Sequence, residues 1–141
     1  DRLEIGVGVG YVDGTHKRFV TDAGDYSGSR ILNAPEWSVN TFLRYDFGLV
    51  ANGNVQFMAN HTYNSSIDFN FTDRSLGSDG YHLFDARLSY THEASNIEVF
   101  LWAKNITNEK VVVHAADRGD GQISELYLQP RRIGFGLAIP F

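Results

Sequence analysis

The chain has no cysteine among its 141 residues, one methionine and three prolines. Without cysteine there is no disulfide framework, no thiolate nucleophile and no cysteine-held zinc, and the redox compartment stays open. No stretch approaches the roughly 18 consecutive apolar residues of a membrane-spanning helix, and the opening Asp1-Arg2-Leu3-Glu4 carries no basic-then-apolar signal pattern. A helical anchor is therefore not expected. Basic residues are in the minority: 12 Lys+Arg against 17 Asp+Glu give a net charge of −5, which argues against general nucleic-acid binding. Helical periodicity is hard to find anywhere. What remains, 43% hydrophobic and 21% charged residues, is a foldable composition of one domain's length.

The punctuation is that of an all-β chain. Fourteen glycines and turn pairs such as Asp13-Gly14, Asn52-Gly53 and Asp79-Gly80 separate short alternating stretches. The pattern predicts six antiparallel strands, at residues 3–11, 36–47, 54–63, 82–91, 97–106 and 131–141. Each has about the 9–11 residues with which a tilted strand crosses a bilayer. The connections 12–35, 64–81 and 107–130 are long, whereas 48–53 and 92–96 are short. Successive antiparallel strands reverse direction, so all long loops fall at one end of the sheet and both short turns at the other. Outer-membrane barrels have this asymmetry, and three long structureless loops would be unusual in a compact soluble domain.

Side chains of one parity form an apolar face: Ile5, Val7 and Val9, then Val39, Thr41 and Leu43, then Val55, Phe57 and Ala59. It continues through Phe84, Ala86 and Leu88, through Val99, Leu101 and Ala103, and through Phe135, Leu137 and Ile139. The other parity carries Glu4, Ser38, Asn40, Arg44, Asp46, Asn54, Gln56, Asn60, Asp85, Arg87, Ser89, Glu98, Lys104 and Arg132, with Phe42, Met58, Phe100 and Trp102 as apolar intruders unless a bulge shifts the parity. Alternation alone leaves two readings. A soluble barrel or sandwich binding a small ligand in its interior would bury the apolar row that a membrane barrel shows to lipid. Aromatic placement favours lipid, because Tyr11, Trp37 and Tyr63 stand at the long-loop ends of the apolar face and Tyr45, Phe47, Tyr90 and Phe141 at the short-turn ends. Six strands are too few to close such a barrel, so an antiparallel up-and-down transmembrane β-barrel segment, part of a larger barrel whose remainder precedes it, is the expected fold.

Chemical motifs are sparse. Gly6-Val7-Gly8-Val9-Gly10 resembles half of a nucleotide-binding glycine loop, but no helix follows, and the alternating glycines instead leave space on the wet face for close approach. Five histidines, His16, His61, His82, His92 and His114, lack metal-ligand spacing, and His61 falls on the apolar face near a strand end. Asp117-Arg118-Gly119-Asp120-Gly121 reads as a solvated loop and not a calcium site. Asn-x-Ser/Thr at Asn60, Asn64, Asn70 and Asn105 reads as polar wall and loop residues. No nucleophile triad or catalytic carboxylate pair is evident, so neither an enzyme nor a cofactor is expected. Recognition of a solute would use the long loops, where Tyr26, Arg30, Phe69, Phe71, Arg74, His114, Arg118 and Tyr127 supply aromatic and cationic groups.

Three further segments are more specific. Asn33-Ala34-Pro35-Glu36-Trp37, the run Ala103-Lys104-Asn105-Ile106-Thr107-Asn108, and Pro130-Arg131-Arg132 at the start of the last strand resemble the C-terminal part of a TonB-dependent receptor. The closing strand also resembles the terminal assembly signal of outer-membrane barrels, with Phe135, Leu137, Ile139 and Phe141 at alternate positions, although Pro140 cannot donate to a ladder and Gly134 stands where a polar residue is usual. The resemblance implies about the last six of about twenty-two strands, in the bacterial outer membrane. It implies that the rest of the barrel, a plug domain and the segment that meets the TonB complex are supplied elsewhere in the protein. It further implies import of a scarce nutrient such as a ferric siderophore or another small-molecule or metal-chelate substrate.

Overall fold

The computed structural model describes residues 2–71, 73 and 75–140, so Arg74 and Phe141 lie outside the described residues. Among the described residues twelve strands follow one another: β1 (Leu3–Tyr11), β2 (Val20–Thr21), β3 (Gly24–Asp25), β4 (Trp37–Val50), β5 (Gly53–Asn64), β6 (Ile67–Asp68), β7 (Gly77–Ser78), β8 (Tyr81–His92), β9 (Glu98–Lys104), β10 (Val112–Asp117), β11 (Ile123–Tyr127) and β12 (Arg132–Ala138). Six of them build one antiparallel sheet in the order β1-β4-β5-β8-β9-β12. Each long strand pairs with the next long strand along the chain, as in an up-and-down meander. The sheet is open: β1 and β12 are its two edges.

Parity along each strand becomes rows across the sheet. Ile5 stands opposite Leu43, Leu43 opposite Ala59, Ala59 opposite Ala86, Ala86 opposite Ala103 and Ala103 opposite Ile133. The neighbouring row runs Leu3, Tyr45, Phe57, Leu88, Leu101, Phe135. Branched and aromatic side chains suit these positions because they pack against their neighbours on a pleated surface. None of the described residues covers the rows: Val7 is 66% exposed, Ile133 73% and Phe135 83%. Among the described residues the only buried apolar side chains are Leu76, Val111 and Ala115, all in the long connections.

The wet face is held by polar pairs. Arg44 meets Glu4 at 3.0 Å and Arg87 meets Glu98 at 2.9 Å, while the Ser38 hydroxyl donates to Asn64 and the Thr62 hydroxyl to Asn40. Phe42, Phe100 and Trp102 stay on this face, and no parity shift explains them. Each ring lies over a glycine of the adjacent strand: Phe42 over Gly6, Phe100 over Gly136 and Trp102 over Gly134, where an added Cβ would collide with the ring. Of the alternating glycines in β1, only Gly6 is needed for such an approach; Gly8 and Gly10 meet nothing closer than 3.8 Å. The register shift between Asp46 and Gly48 leaves Phe47 beside Tyr45, with ring centroids 4.7 Å apart.

Ala51 and Asn52, with φ of 49° and 63°, make the two-residue turn between β4 and β5, and Gly53 already pairs with Val50. Two consecutive left-handed residues define a type I′ turn, whose twist matches that of the strands it joins. The Tyr90 hydroxyl donates to the Ala51 carbonyl at 2.7 Å. At the other end the three long connections are not structureless, contrary to the sequence expectation. Each folds into a small antiparallel pair, β2 with β3, β6 with β7 and β10 with β11. The run Asp117–Gly121, read from the sequence as a solvated loop, leads into the tip of the last of these.

Candidate functional site

The long-loop end brings distant residues together. His16, Phe19 and Tyr26 of the first connection surround Phe71 of the second, with centroid separations of 5.5, 5.3 and 5.1 Å from the Phe71 ring. Phe69 and His114 join the second connection to the third at 5.9 Å. Leu76 and Val111 are buried where the second and third connections pack, and the Val111 carbonyl accepts from the Leu128 amide at 2.9 Å. A cavity of about 470 Å³ opens between these two connections, lined by Asp68, Asp79, Glu109, Glu125 and Lys110 among others. A smaller crevice of about 100 Å³, lined by Arg30, Asp68 and Phe71, lies between the first two.

The loop residues singled out in the sequence do not converge on one point. Tyr26 stacks on Phe71 at 5.1 Å. Arg30 forms an ion pair with Glu36 at 3.0 Å and lines the smaller crevice. His114 faces Phe69. Arg118 sits at the tip of the β10–β11 hairpin, its amide donating to the Gln122 carbonyl. The Tyr127 hydroxyl donates to Glu125, and the Lys110 ammonium lies 4.4 Å from its ring centroid. Sequence reasoning missed His16 and Phe19, whose role depends on contacts with Phe71 about fifty residues away. Two loop carboxyls, Asp25 and Asp73, are held below the ordinary aspartate range by hydrogen bonds from Ser27 and Ser75.

The base of the third connection is fixed by Asn105, which is buried and has φ of 49°. Its amide nitrogen donates to Asp85, its side-chain nitrogen donates to the carbonyls of Glu109 and Gln129, and its side-chain oxygen accepts from the Glu109 amide. Asn108, also left-handed at φ 57°, accepts from the Arg131 amide at 3.0 Å. On the apolar face near this end, His61 and His82 approach nitrogen to nitrogen at 2.9 Å, flanked by Phe84 and Tyr63. Among the described residues no three metal-ligating side chains cluster.

An open antiparallel sheet with one uncovered apolar face, one polar face and all its elaborated connections at one end is a segment of a membrane-type barrel wall. The model of the family described as "TonB dependent receptor-like, beta-barrel" matches residues 2–106, and the chain belongs to that family. Three solved structures share the fold. The ferric yersiniabactin uptake receptor FyuA from Yersinia pestis is 15% identical with a TM-score of 0.74 over 86% of this chain. The ferric preacinetobactin receptor BauA from Acinetobacter baumannii is 20% identical with a TM-score of 0.70 over 97%. The siderophore receptor PiuA from Acinetobacter baumannii is 14% identical with a TM-score of 0.75 over 97%. The chain covers 19% of the length of each. No curated protein matches it.

Proposed function

We propose that the chain is the C-terminal barrel segment of an outer-membrane receptor that imports a scarce nutrient, such as a ferric siderophore, with energy relayed by TonB. The observation that carries this reading is the uncovered apolar face of a sheet whose family is that of TonB-dependent receptor barrels. A soluble sandwich or barrel would bury those rows, yet among the described residues the buried apolar side chains all lie in the long connections. The names of the structural neighbours, all receptors and two of them for ferric compounds, point to the same kind of cargo.

In this reading β1 and β12 pair with strands elsewhere in the barrel, which satisfies their edge hydrogen-bonding groups. A plug domain and its TonB-contacting segment occupy the lumen beside the wet face. Tyr26, Arg30, Arg74, His114, Arg118 and Tyr127 take part in recognising the substrate on the outer side, and Phe135, Leu137, Ile139 and Phe141 form the assembly signal. The function is binding and transport, not catalysis.

The test is uptake of an iron-labelled siderophore panel by cells with and without the intact gene. At least one ferric chelate should enter saturably, and that uptake should disappear both on deletion of the gene and on loss of TonB. Uptake and iron-limited growth that are unchanged by deletion would contradict the reading.

A further inference from the structure

On the wet face, Lys104 of β9 stands directly opposite Arg132 of β12. Two cations facing each other across a ladder repel, and a sheet normally separates them or supplies an acid between them. Among the described residues neither cation is paired with an acid. Among the described residues the ion pairs are Arg30–Glu36, Arg44–Glu4 and Arg87–Glu98, so neither Lys104 nor Arg132 lies within 4.0 Å of a carboxylate oxygen. The one acid lining their cavity, Asp85, accepts from the amide of Asn105 at 2.9 Å and forms an ion pair with neither cation. Every other cation on this wall from β4 and β8 has its own glutamate, and these two do not.

The space in front of them is a cavity of about 470 Å³, whose lining also includes Arg87 and Trp102. It can hold a carboxylate together with several waters at ~30 Å³ each. Arg87 is already engaged by Glu98 and by the Phe100 ring, 3.9 Å from its guanidinium carbon, and its buried Nε has no partner. The guanidinium of Arg132 offers a planar fork that matches a carboxylate with two parallel hydrogen bonds, and the Lys104 ammonium adds a point charge on the same side.

We infer that Lys104 and Arg132 form a carboxylate-binding site on the wet wall, filled either by an acidic side chain from another part of the intact protein or by a soluble carboxylate in the lumen. The inference extends past the proposed import function, because it rests on the wall's own charges and not on the identity of a cargo.

A bound carboxylate stabilises the ammonium form of Lys104 and slows its acylation. The experiment is the rate of Lys104 acetylation in the intact receptor by a water-soluble acylating ester, followed by peptide mass spectrometry with Lys17 as internal reference. It is run with and without citrate at constant ionic strength, in the wild type and in Arg132→Gln and Arg132→Lys. If the site takes a soluble anion, citrate slows Lys104 several-fold and saturably, leaves Lys17 unchanged, and loses its effect in Arg132→Gln. If the protein supplies the acid, Lys104 is slow without citrate and several-fold faster in Arg132→Gln. Arg132→Lys, which keeps the charge and loses the fork, falls between in either case and serves if Arg132→Gln does not assemble. Removing the Arg132 charge relieves the repulsion and by itself slows Lys104, so a Lys104 rate that is insensitive to citrate and unchanged or slower in Arg132→Gln, at any absolute value, overturns the inference.

Discussion

The side-chain nitrogen of Asn105 donates to the carbonyl of Gln129 at 3.2 Å, across 24 residues of chain. It thereby ties the end of β9 to the start of β12 and closes the third connection at its base. Both its amide groups are used, and its left-handed backbone lets one short side chain reach both legs of the loop.

Asn105→Ala should leave three backbone groups of Glu109 and Gln129 at this partly buried site without their partners and strain the φ of 49°. An orphaned group costs about 1–3 kcal/mol when fully buried and less where water reaches it, as it does here. Hydrogen exchange in the intact receptor should show the Glu109 amide losing protection while the β1–β4 ladder keeps its own. Asn105→Gly, which relieves the backbone but not the lost bonds, should recover only a small part.

The glycine–aromatic contacts of the wet face give a second expectation. Gly136→Ala drives a methyl group into the Phe100 ring, whereas Gly8→Ala meets only the Asn40 carbonyl at 4.0 Å. Overpacking of this kind costs about 1–3 kcal/mol, so the thermal midpoint of the Gly136→Ala receptor should fall and that of Gly8→Ala should barely move. Adding Phe100→Ala to Gly136→Ala should restore part of the loss.

Loop order should respond to acid. Asp25 accepts from the Ser27 amide at 2.9 Å, and Asp73 accepts from the Ser75 hydroxyl at 2.6 Å and its amide at 2.9 Å. Both carboxyls are depressed, chiefly by the side-chain hydrogen bonds of those serines. A carboxyl depressed in the folded state contributes stability that is fully present above its unfolded value of about 3.9 and is lost as pH falls through the folded value. Exchange protection of the Ser27 and Ser75 amides, corrected for intrinsic rates, should therefore stay flat from neutral pH to about 4 and decline only below it. Asp73→Asn should abolish that acid limb at Ser75 and leave the limb at Ser27 intact.

Much of the sheet was legible because a strand reveals its two faces at period two. Ile5, Leu43, Ala59, Ala86 and Ala103 fall on the apolar face from parity alone, and an antiparallel meander then aligns them. The glycine partners of Phe42, Phe100 and Trp102 were not legible, since they follow from register, which parity does not fix. The loops were least legible. Leu76, Val111 and Ala115 become a small core only when separate connections fold against each other, and nothing periodic in those stretches announces it. For the same reason Tyr26 and His114 were visible as candidate contacts, while the grouping of His16 and Phe19 around Phe71 was not. Parity places Lys104 and Arg132 on the wet face, but their opposition is again a matter of register.

A lipid-facing sheet is intolerant of charge in a way that depends on depth. Leu43→Arg, in the middle of β4, should cost about 2–4 kcal/mol, and substitutions nearer the rims about 0–1. The amount of heat-modifiable folded receptor in outer membranes should fall for Leu43→Arg and much less for Leu137→Arg, which lies level with the rim residue Tyr90. Leu126→Arg, on the exposed β10–β11 hairpin, should assemble as the wild type does.

The most direct measurement places a nitroxide on single introduced cysteines at Leu101 and Val7 on the apolar face and at Gln56 on the wet face, in the intact receptor reconstituted in bilayers. This chain has no cysteine of its own to interfere. Lipid exposure predicts high collision rates with oxygen and low rates with a water-soluble nickel chelate at 101 and 7, and no such oxygen preference at 56. Labels at 101 and 7 that meet the nickel chelate freely, or that are shielded from both reagents as in a packed core, would contradict the account.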